Sequence, residues 1–358
     1  MMMMDELNVP GLMVLFGSGE TLASSQKTHE YVARNLSARP VVSVLETPAG
    51  FEPNSDKVAG AVADFIQHHL QNYKPQTTIV PARKRNTPFS PDDPEILSPL
   101  LDANWIFLGP GSPTYAKRQL EGSLAYQYLA AKHRLGSALM LASAATLAFS
   151  AHTMPVYEIY KVGMDLHWQP GLNFLKPFGL ELVFIPHWNN NDGGSELDTS
   201  RCYMGQVRFA QLVALLPENT TIVGLDEHTS LILNFREEEC FVLGKGEISI
   251  VKHNEQRKFR AGEGFSLSEL GQYKLPLTGD GIPAAIWQEV KRHEKLQQQE
   301  LAEPAPEGVI RLVELREEAR ENKNWAQSDY YRGQIVELGW EVRDTGSGPE
   351  IIRKISVS

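Results

Sequence analysis

Along the first half of the chain, short runs dominated by apolar or β-branched residues alternate with longer stretches whose apolar positions recur every three or four residues. Residues 12–16, 41–45, 78–80, 105–108 and 138–141 are runs of the first kind and predict strands buried on both faces. Of the second kind, residues 58–70 put Val58, Val62, Phe65, Ile66 and Leu70 on one helical face, and helices are also predicted over 115–134 and 202–216. Apolar strands separated by helices are the sequence form of a mostly parallel sheet covered by helices on both faces, so the predicted class is α/β. Later runs at 180–186, 221–225, 231–235 and 241–243 predict further strands. Residues 246–251 and 258–260, joined near His253 and Asn254, predict a hairpin.

The pattern changes over residues 289–303, a charged, Gln-rich helical stretch that runs into Glu303-Pro304-Ala305-Pro306. Proline at that density ends helices and stiffens linkers. Three parts are therefore expected: an α/β domain over residues 1–288 that ends in a β extension, a helix and linker over 289–307, and a small helical domain over 308–358. In the last part, residues 309–322 and 324–338 predict two helices. Leu312, Leu315 and Ala319 would line one face, with Trp325, Ile335 and Leu338 covering it.

Composition narrows the function classes. A net charge of −10 over 358 residues disfavours a general nucleic-acid binder. The two cysteines, Cys202 and Cys240, have neither disulfide-framework nor metal spacing, which fits a reducing, cytoplasmic setting. No apolar run approaches the roughly 20 residues of a membrane span, and neither a span nor a signal peptide is predicted. Gly17-Ser18-Gly19 and Gly109-Pro110-Gly111 each follow a strand, but the third glycine position of a dinucleotide fingerprint is Leu22 in one and Thr114 in the other. No phosphate loop or HExxH is present and the ten histidines lack metal-ligand spacing, so neither cofactor nor metal is expected. Ser143, by contrast, follows a strand and precedes the helix-prone residues 144–150. Strand–turn–helix is the setting of a nucleophile elbow, where a serine hydroxyl stands at a helix N-terminus. The same residue also reads as a small side chain in an Ala-rich turn.

Four stretches carry a resemblance to a known family. They are Leu15-Phe16-Gly17-Ser18-Gly19-Glu20, Ile106-Phe107-Leu108-Gly109-Pro110-Gly111, Leu141-Ala142-Ser143-Ala144-Ala145-Thr146, and Ile222-Val223-Gly224-Leu225-Asp226-Glu227-His228-Thr229-Ser230-Leu231 followed by Val242-Leu243-Gly244-Lys245-Gly246. In order and spacing, over residues 11–255, they resemble peptidase family S51, the cyanophycinases and aspartyl dipeptidases, which has a class I glutamine-amidotransferase-like fold. The resemblance implies a serine peptidase acting on short or Asp-containing peptides, with Ser143 as nucleophile and His187, in Pro186-His187-Trp188, as general base. The acid maps to Glu158, with Asp165 as the substitute, and the oxyanion hole to the N–H groups of Ala144 and Gly111. Three residues depart from the family at this site: Leu141 and Ala145 stand where it has glycines, and Pro110 alters the oxyanion turn. They leave open a second reading, a catalytically silent member that binds a ligand or partner.

Residues 308–354, through the run from Arg316 to Asp329, Tyr331-Arg332, Gly339 and Val342-Arg343-Asp344-Thr345-Gly346-Ser347-Gly348, resemble the C-terminal end of bacterial cysteinyl-tRNA synthetase. Contact with tRNA or a translation protein is what this second resemblance implies. No HIGH or KMSKS-like motif accompanies it. Residues 305–358 hold 8 Lys/Arg against 10 Asp/Glu, which favours a packing or protein-contact module over phosphate binding.

Overall fold

The computed structural model describes residues 9–252, 255–302, 305–345 and 348–353. It begins with strand β1 (Met13–Phe16), helix α1 (Gln26–Asn35), β2 (Val41–Leu45), α2 (Ser55–His69), β3 (Gln76–Val80), α3 (Pro94–Asp102), β4 (Trp105–Leu108), α4 (Pro113–Leu120), α5 (Leu124–Arg134) and β5 (Ala138–Ala142). These five strands are parallel, side by side in the order β1-β5-β4-β2-β3. Next come α6 (Ala144–Ala148), the two-residue strands β6 (His152–Thr153) and β7 (Gln169–Pro170) on either side of α7 (Val156–Tyr160), β8 (Leu182–Ile185), α8 (Gly205–Val213) and β9 (Thr221–Leu225). The β extension is β10 (Thr229–Asn234), β11 (Glu239–Gly244), β12 (Glu247–Lys252), β13 (Glu255–Arg260) and β14 (Gly264–Ser266). Strands β10, β11 and β14 continue the main sheet antiparallel beyond β1, making eight strands. Strands β8 and β9, parallel to each other, join β12 and β13 in a second sheet of four.

Alternation along each central strand divides the core. Met13 and Leu15, Ile106 and Leu108, and Leu139 and Leu141 enter one apolar cluster with residues of α3, α5 and α6. Val14 and Phe16, Trp105 and Phe107, and Met140 and Ala142 enter another with residues of α1 and α2. Successive side chains of a strand point to opposite faces, so wholly apolar strands require helices on both.

Local chemistry explains where the elements differ from the pattern. The helix expected over 115–134 is two helices, broken at Gly122 (φ 67) and restarted by Ser123, whose Oγ accepts from Tyr126 N at 3.1 Å. The helix expected from residue 202 starts at Gly205, because Arg201, Cys202 and Tyr203 all have left-handed backbones (φ 58, 58 and 68). Helix α3 hides in a Pro-rich run: Pro94 occupies its first turn, where no N–H is missed, and Asp93 caps it by accepting from Glu95 N at 2.9 Å. The expected hairpin joint at His253 and Asn254 lies outside the described residues.

The chain forms two compact units, residues 1–290 and 291–358. The charged helix is α9 (Ala284–Ala302), whose first turns put Trp287 and Val290 into the first unit's core. Glu303 and Pro304 of the expected linker lie outside the described residues. The second unit holds α10 (Glu307–Glu321), α11 (Trp325–Glu337) and a hairpin of β15 (Trp340–Thr345) and β16 (Gly348–Arg353). Its core is Val309, Val313, Ile335, Trp340 and Val342. Trp325 and Leu338, expected to cover the first helix, are 60% and 56% exposed, and Trp340 from the hairpin takes that place. Among the described residues no helix is long and apolar enough to cross a membrane.

Candidate active site

Strand register brings the candidate residues together at the carboxyl ends of parallel strands, where open α/β sheets form their crevices. Phe16 of β1 pairs level with Ala142 of β5, so Gly17 and Ser143 emerge side by side. Ile185 of β8 pairs with Gly224 of β9, which carries His187 and Glu227 to neighbouring positions just past the second sheet. His187 N donates to the Gly17 carbonyl at 3.1 Å and links the two strand ends. A Cβ on Gly17 would lie 2.0 Å from the Asp226 carbonyl oxygen, so only glycine permits this approach.

Ser143 caps α6 with φ 50 and ψ −108, a strained conformation that costs on the order of 1–3 kcal/mol and holds the side chain out from the turn. Ser143 Oγ lies 2.9 Å from His187 Nε2. On the other side of the ring, Nδ1 is 2.8 Å from Glu227 Oε1, which also accepts from Asn190 Nδ2 at 3.0 Å. The hydrogen bond from His187, aided by that from Asn190, holds the Glu227 carboxyl below the usual glutamate range against the opposing effect of burial. An ionised Glu227 keeps the imidazole proton on Nδ1 and leaves Nε2 as an acceptor for the serine hydroxyl.

The carboxylate on His187 is thus Glu227, where the sequence reading put Glu158, with Asp165 as the substitute. Glu158 sits in the first turn of α7 and accepts from Thr114 Oγ1 at 2.5 Å. Asp165 is exposed, and its carbonyl accepts from His167 Nδ1. Distance along the chain from the serine gave no information about which loop reaches the imidazole. The Ile222-to-Leu231 stretch carries Asp226 and Glu227 just past a predicted strand, but nothing in the sequence said that this strand end lies beside His187.

Around the pair lies a cavity of about 470 Å³, lined among others by Ser143, His187, Gly111, Tyr157, Lys161 and Asp192. Ala144 and Gly111, read as oxyanion donors, both line it. A Cβ on Gly111 would meet the Pro48 carbonyl oxygen at 2.0 Å, which accounts for the glycine after Pro110. Leu141 and Ala145, the departures from the family pattern, are fully buried in one packed cluster, and Ser143 holds its elbow conformation with both in place. The left-handed run 201–203 clamps the histidine loop: Cys202 N donates to the His187 carbonyl at 3.1 Å and Arg201 N to that of Trp188 at 3.0 Å. Burial pushes the Cys202 thiol up to about 12, so it stands in this wall as a thiol and not as a thiolate. Asp192 accepts from Tyr203 Oη at 2.8 Å at the edge of the cavity. Among the described residues no group of three or more His, Cys, Asp or Glu is arranged to hold a metal ion. The arrangement supplies a hydroxyl, an imidazole aligned with it and a carboxylate behind the imidazole.

No family model matches the chain. Among curated proteins, a cysteine–tRNA ligase of Chlamydia felis is 50% identical over 46 residues, 13% of this chain and 10% of the ligase. A cysteine–tRNA ligase of Methanosarcina mazei is 53% identical over 49 residues, 14% of this chain and 10% of the ligase. The chain thus spans about a tenth of the length of these curated relatives. Among solved structures, a putative peptidase E protein from Listeria monocytogenes has a TM-score of 0.41 at 13% identity, covering 70% of this chain and 98% of that one. A peptidase from an acI-B1 Actinobacterium is similar over 73% of this chain and 98% of its own, at 20% identity and a TM-score of 0.59, and with that protein the chain shares its α/β fold.

Proposed function

We propose that this chain is a serine-type peptidase that hydrolyses short or Asp-containing peptides. The observation that carries the reading is the line Ser143 Oγ, His187 Nε2, His187 Nδ1, Glu227 Oε1, with successive contacts of 2.9 and 2.8 Å, at a strand–helix turn opening into a cavity. In the reaction, Ser143 Oγ attacks the peptide carbonyl carbon while His187 Nε2 takes the hydroxyl proton. The N–H groups of Ala144 and Gly111 stabilise the oxyanion. Loss of one such donor generally costs about 10²–10³ in rate. His187 returns its proton to the leaving amine, and water, deprotonated by the same nitrogen, releases the acyl group and regenerates Ser143. These steps call on no cofactor. The fold shared with a solved peptidase supports the reading, as does the family resemblance, which supplies the substrate class. Two buried free cysteines suit a cytoplasmic setting.

A fluorophosphonate probe tests this directly. The full chain should be labelled, Ser143→Ala should not, and hydrolysis of Asp-containing dipeptides should fall at least about 10³-fold in the variant. Absence of both labelling and turnover in the parent chain would favour the silent, ligand-binding reading instead.

For the second unit we infer a protein-contact role for residues 308–354, whose slight acidic excess opposes phosphate binding. The short, close identity to cysteine–tRNA ligases is the reason to test tRNA as well. Salt-sensitive tRNA binding, measured at two salt concentrations, would overturn the protein-contact reading.

A further inference from the structure

The larger unit contains a second cavity, of about 270 Å³, lined by residues of α5, of the 172–177 loop and of the 280–282 turn. Arg134, in the last turn of α5, is part of its wall and is only 7% exposed. Its guanidinium lies 4.6 Å over the Phe178 ring. Yet among the described residues no acceptor bonds it; Nη1 is sealed from solvent, which leaves Nε and Nη2 as the nitrogens a molecule in the cavity can reach. Guanidinium groups offer five donors and stay charged in proteins, so a buried one ordinarily has a carboxylate or phosphate on it. Burial pulls this one down to about 10, with Asp280 acting in the opposite direction across the cavity.

The remaining wall says which anion fits. Lys176 adds a second cation and Asp280 an anion, both on exposed stretches of the rim. With Arg134 that leaves one net positive charge, matched to a monoanion and poorly matched to a phosphate dianion facing Asp280. Tyr126, Leu172, Phe174 and Ile282 supply the apolar part of the wall, with Asn173 polar among them. The volume lies below the usual range of drug-sized sites, about 300–1,000 Å³, and suits a small molecule. We propose that this cavity binds a small zwitterion with an apolar side chain, an α-amino acid of the leucine kind, its carboxylate on Arg134 and its ammonium toward Asp280. The site stands apart from Ser143, and the inference holds whether or not that serine reacts.

Calorimetric titration of the full chain with L-leucine, leucinamide, acetate and inorganic phosphate tests it. Saturable binding of leucine is expected, with leucinamide, which lacks the carboxylate, weaker by at least about tenfold. Arg134→Gln should abolish leucine binding, and Asp280→Asn should weaken it about fivefold or more through loss of the ammonium contact. Asp280 and Lys176 are exposed, so their variants keep the test decisive if Arg134→Gln fails to fold. Phosphate binding as tight as leucine, leucinamide binding as tight as leucine, unchanged affinity in Asp280→Asn, or no saturable leucine binding would each overturn the proposal.

Discussion

The two units use their buried polar groups in opposite ways. In the larger one, apolar clusters on both faces of the main sheet make the fold secure without any contribution from Ser143, His187 or Glu227. These three sit half-buried at a loop edge, two of them, Ser143 and His187, on positive-φ backbone, and their hydrogen bonds serve alignment. The smaller unit has a core of five buried apolar residues. There Arg316, 1% exposed, donates from Nη1 and Nη2 to the two Asp344 oxygens at 2.9 Å each and ties α10 to the hairpin. A small domain cannot secure itself by apolar burial alone and needs staples. A large one can carry a strained, polar site at little risk to the fold. The comparison also separates similarity from legibility: the close identities to known proteins cover about 46 residues, whereas the larger unit, similar to solved structures only at 20% identity, is where the geometry speaks.

The strongest way to break this comparison is at the acid. Glu227→Gln should lower peptide turnover by about 10²–10⁴, because the amide no longer enforces the imidazole tautomer, while the thermal midpoint scarcely moves. Glu158→Gln should stay within about threefold of the parent, since that side chain bonds Thr114 and not His187. A Glu158 variant as damaged as the Glu227 variant would return the acid to the sequence reading.

Next in size is the core beneath the elbow. Leu141→Gly should cost about 3–5 kcal/mol by leaving a cavity and loosening the strand, and should bring no gain in labelling at Ser143. Faster turnover in a folded Leu141→Gly protein would mean that the leucine does obstruct the elbow.

Asp344→Asn probes the staple. It removes one of the two carboxylates on a buried guanidinium, leaving Glu317, and with Asp344 half-exposed the loss should be about 1–3 kcal/mol, confined to the second unit. Hydrogen exchange should quicken in α10 and the hairpin, and turnover should be unchanged. Unaltered exchange there would reduce the ion pair to a surface contact.

The smallest expected effect concerns pH. His133 has both ring nitrogens buried without partners among Phe174, Phe178 and Phe235, and burial pulls it down to about 3. His29, on the buried face of α1, is pulled down to about 4 for the same reason. The unfolded chain binds these protons near pH 6.5, and the folded chain resists them until pH 4 and below. Their contribution to stability is thus complete above about pH 6.5 and is lost progressively as pH falls toward 4 and then 3. His133→Phe should flatten that decline and raise the thermal midpoint by a few degrees, read by melting at pH 7.5 and pH 5. An identical pH dependence in the variant would exclude His133 as a source of acid lability.

Periodicity and composition alone were enough to place the central strands and to recognise Ser143 at a strand–helix turn. These are local properties: burial on both faces makes a strand apolar throughout, and a turn before a helix favours small residues. Three things waited for the tertiary structure. The carboxylate facing His187 is Glu227 because parallel pairing of β8 with β9 sets its loop beside His187, and a register between distant strands leaves no trace in spacing along the chain. Leu141 fits where the family has glycine because it packs into the cluster that also buries Ala145, which only the packed volume reveals. Arg134 and Arg316 both sit in helices, Arg134 after Lys132 and His133 and Arg316 before Glu317 and Glu318. That Arg316 also meets Asp344, besides its neighbour Glu317, depends on where a hairpin 24 or more residues away folds back, and that is decided only when the chain closes on itself.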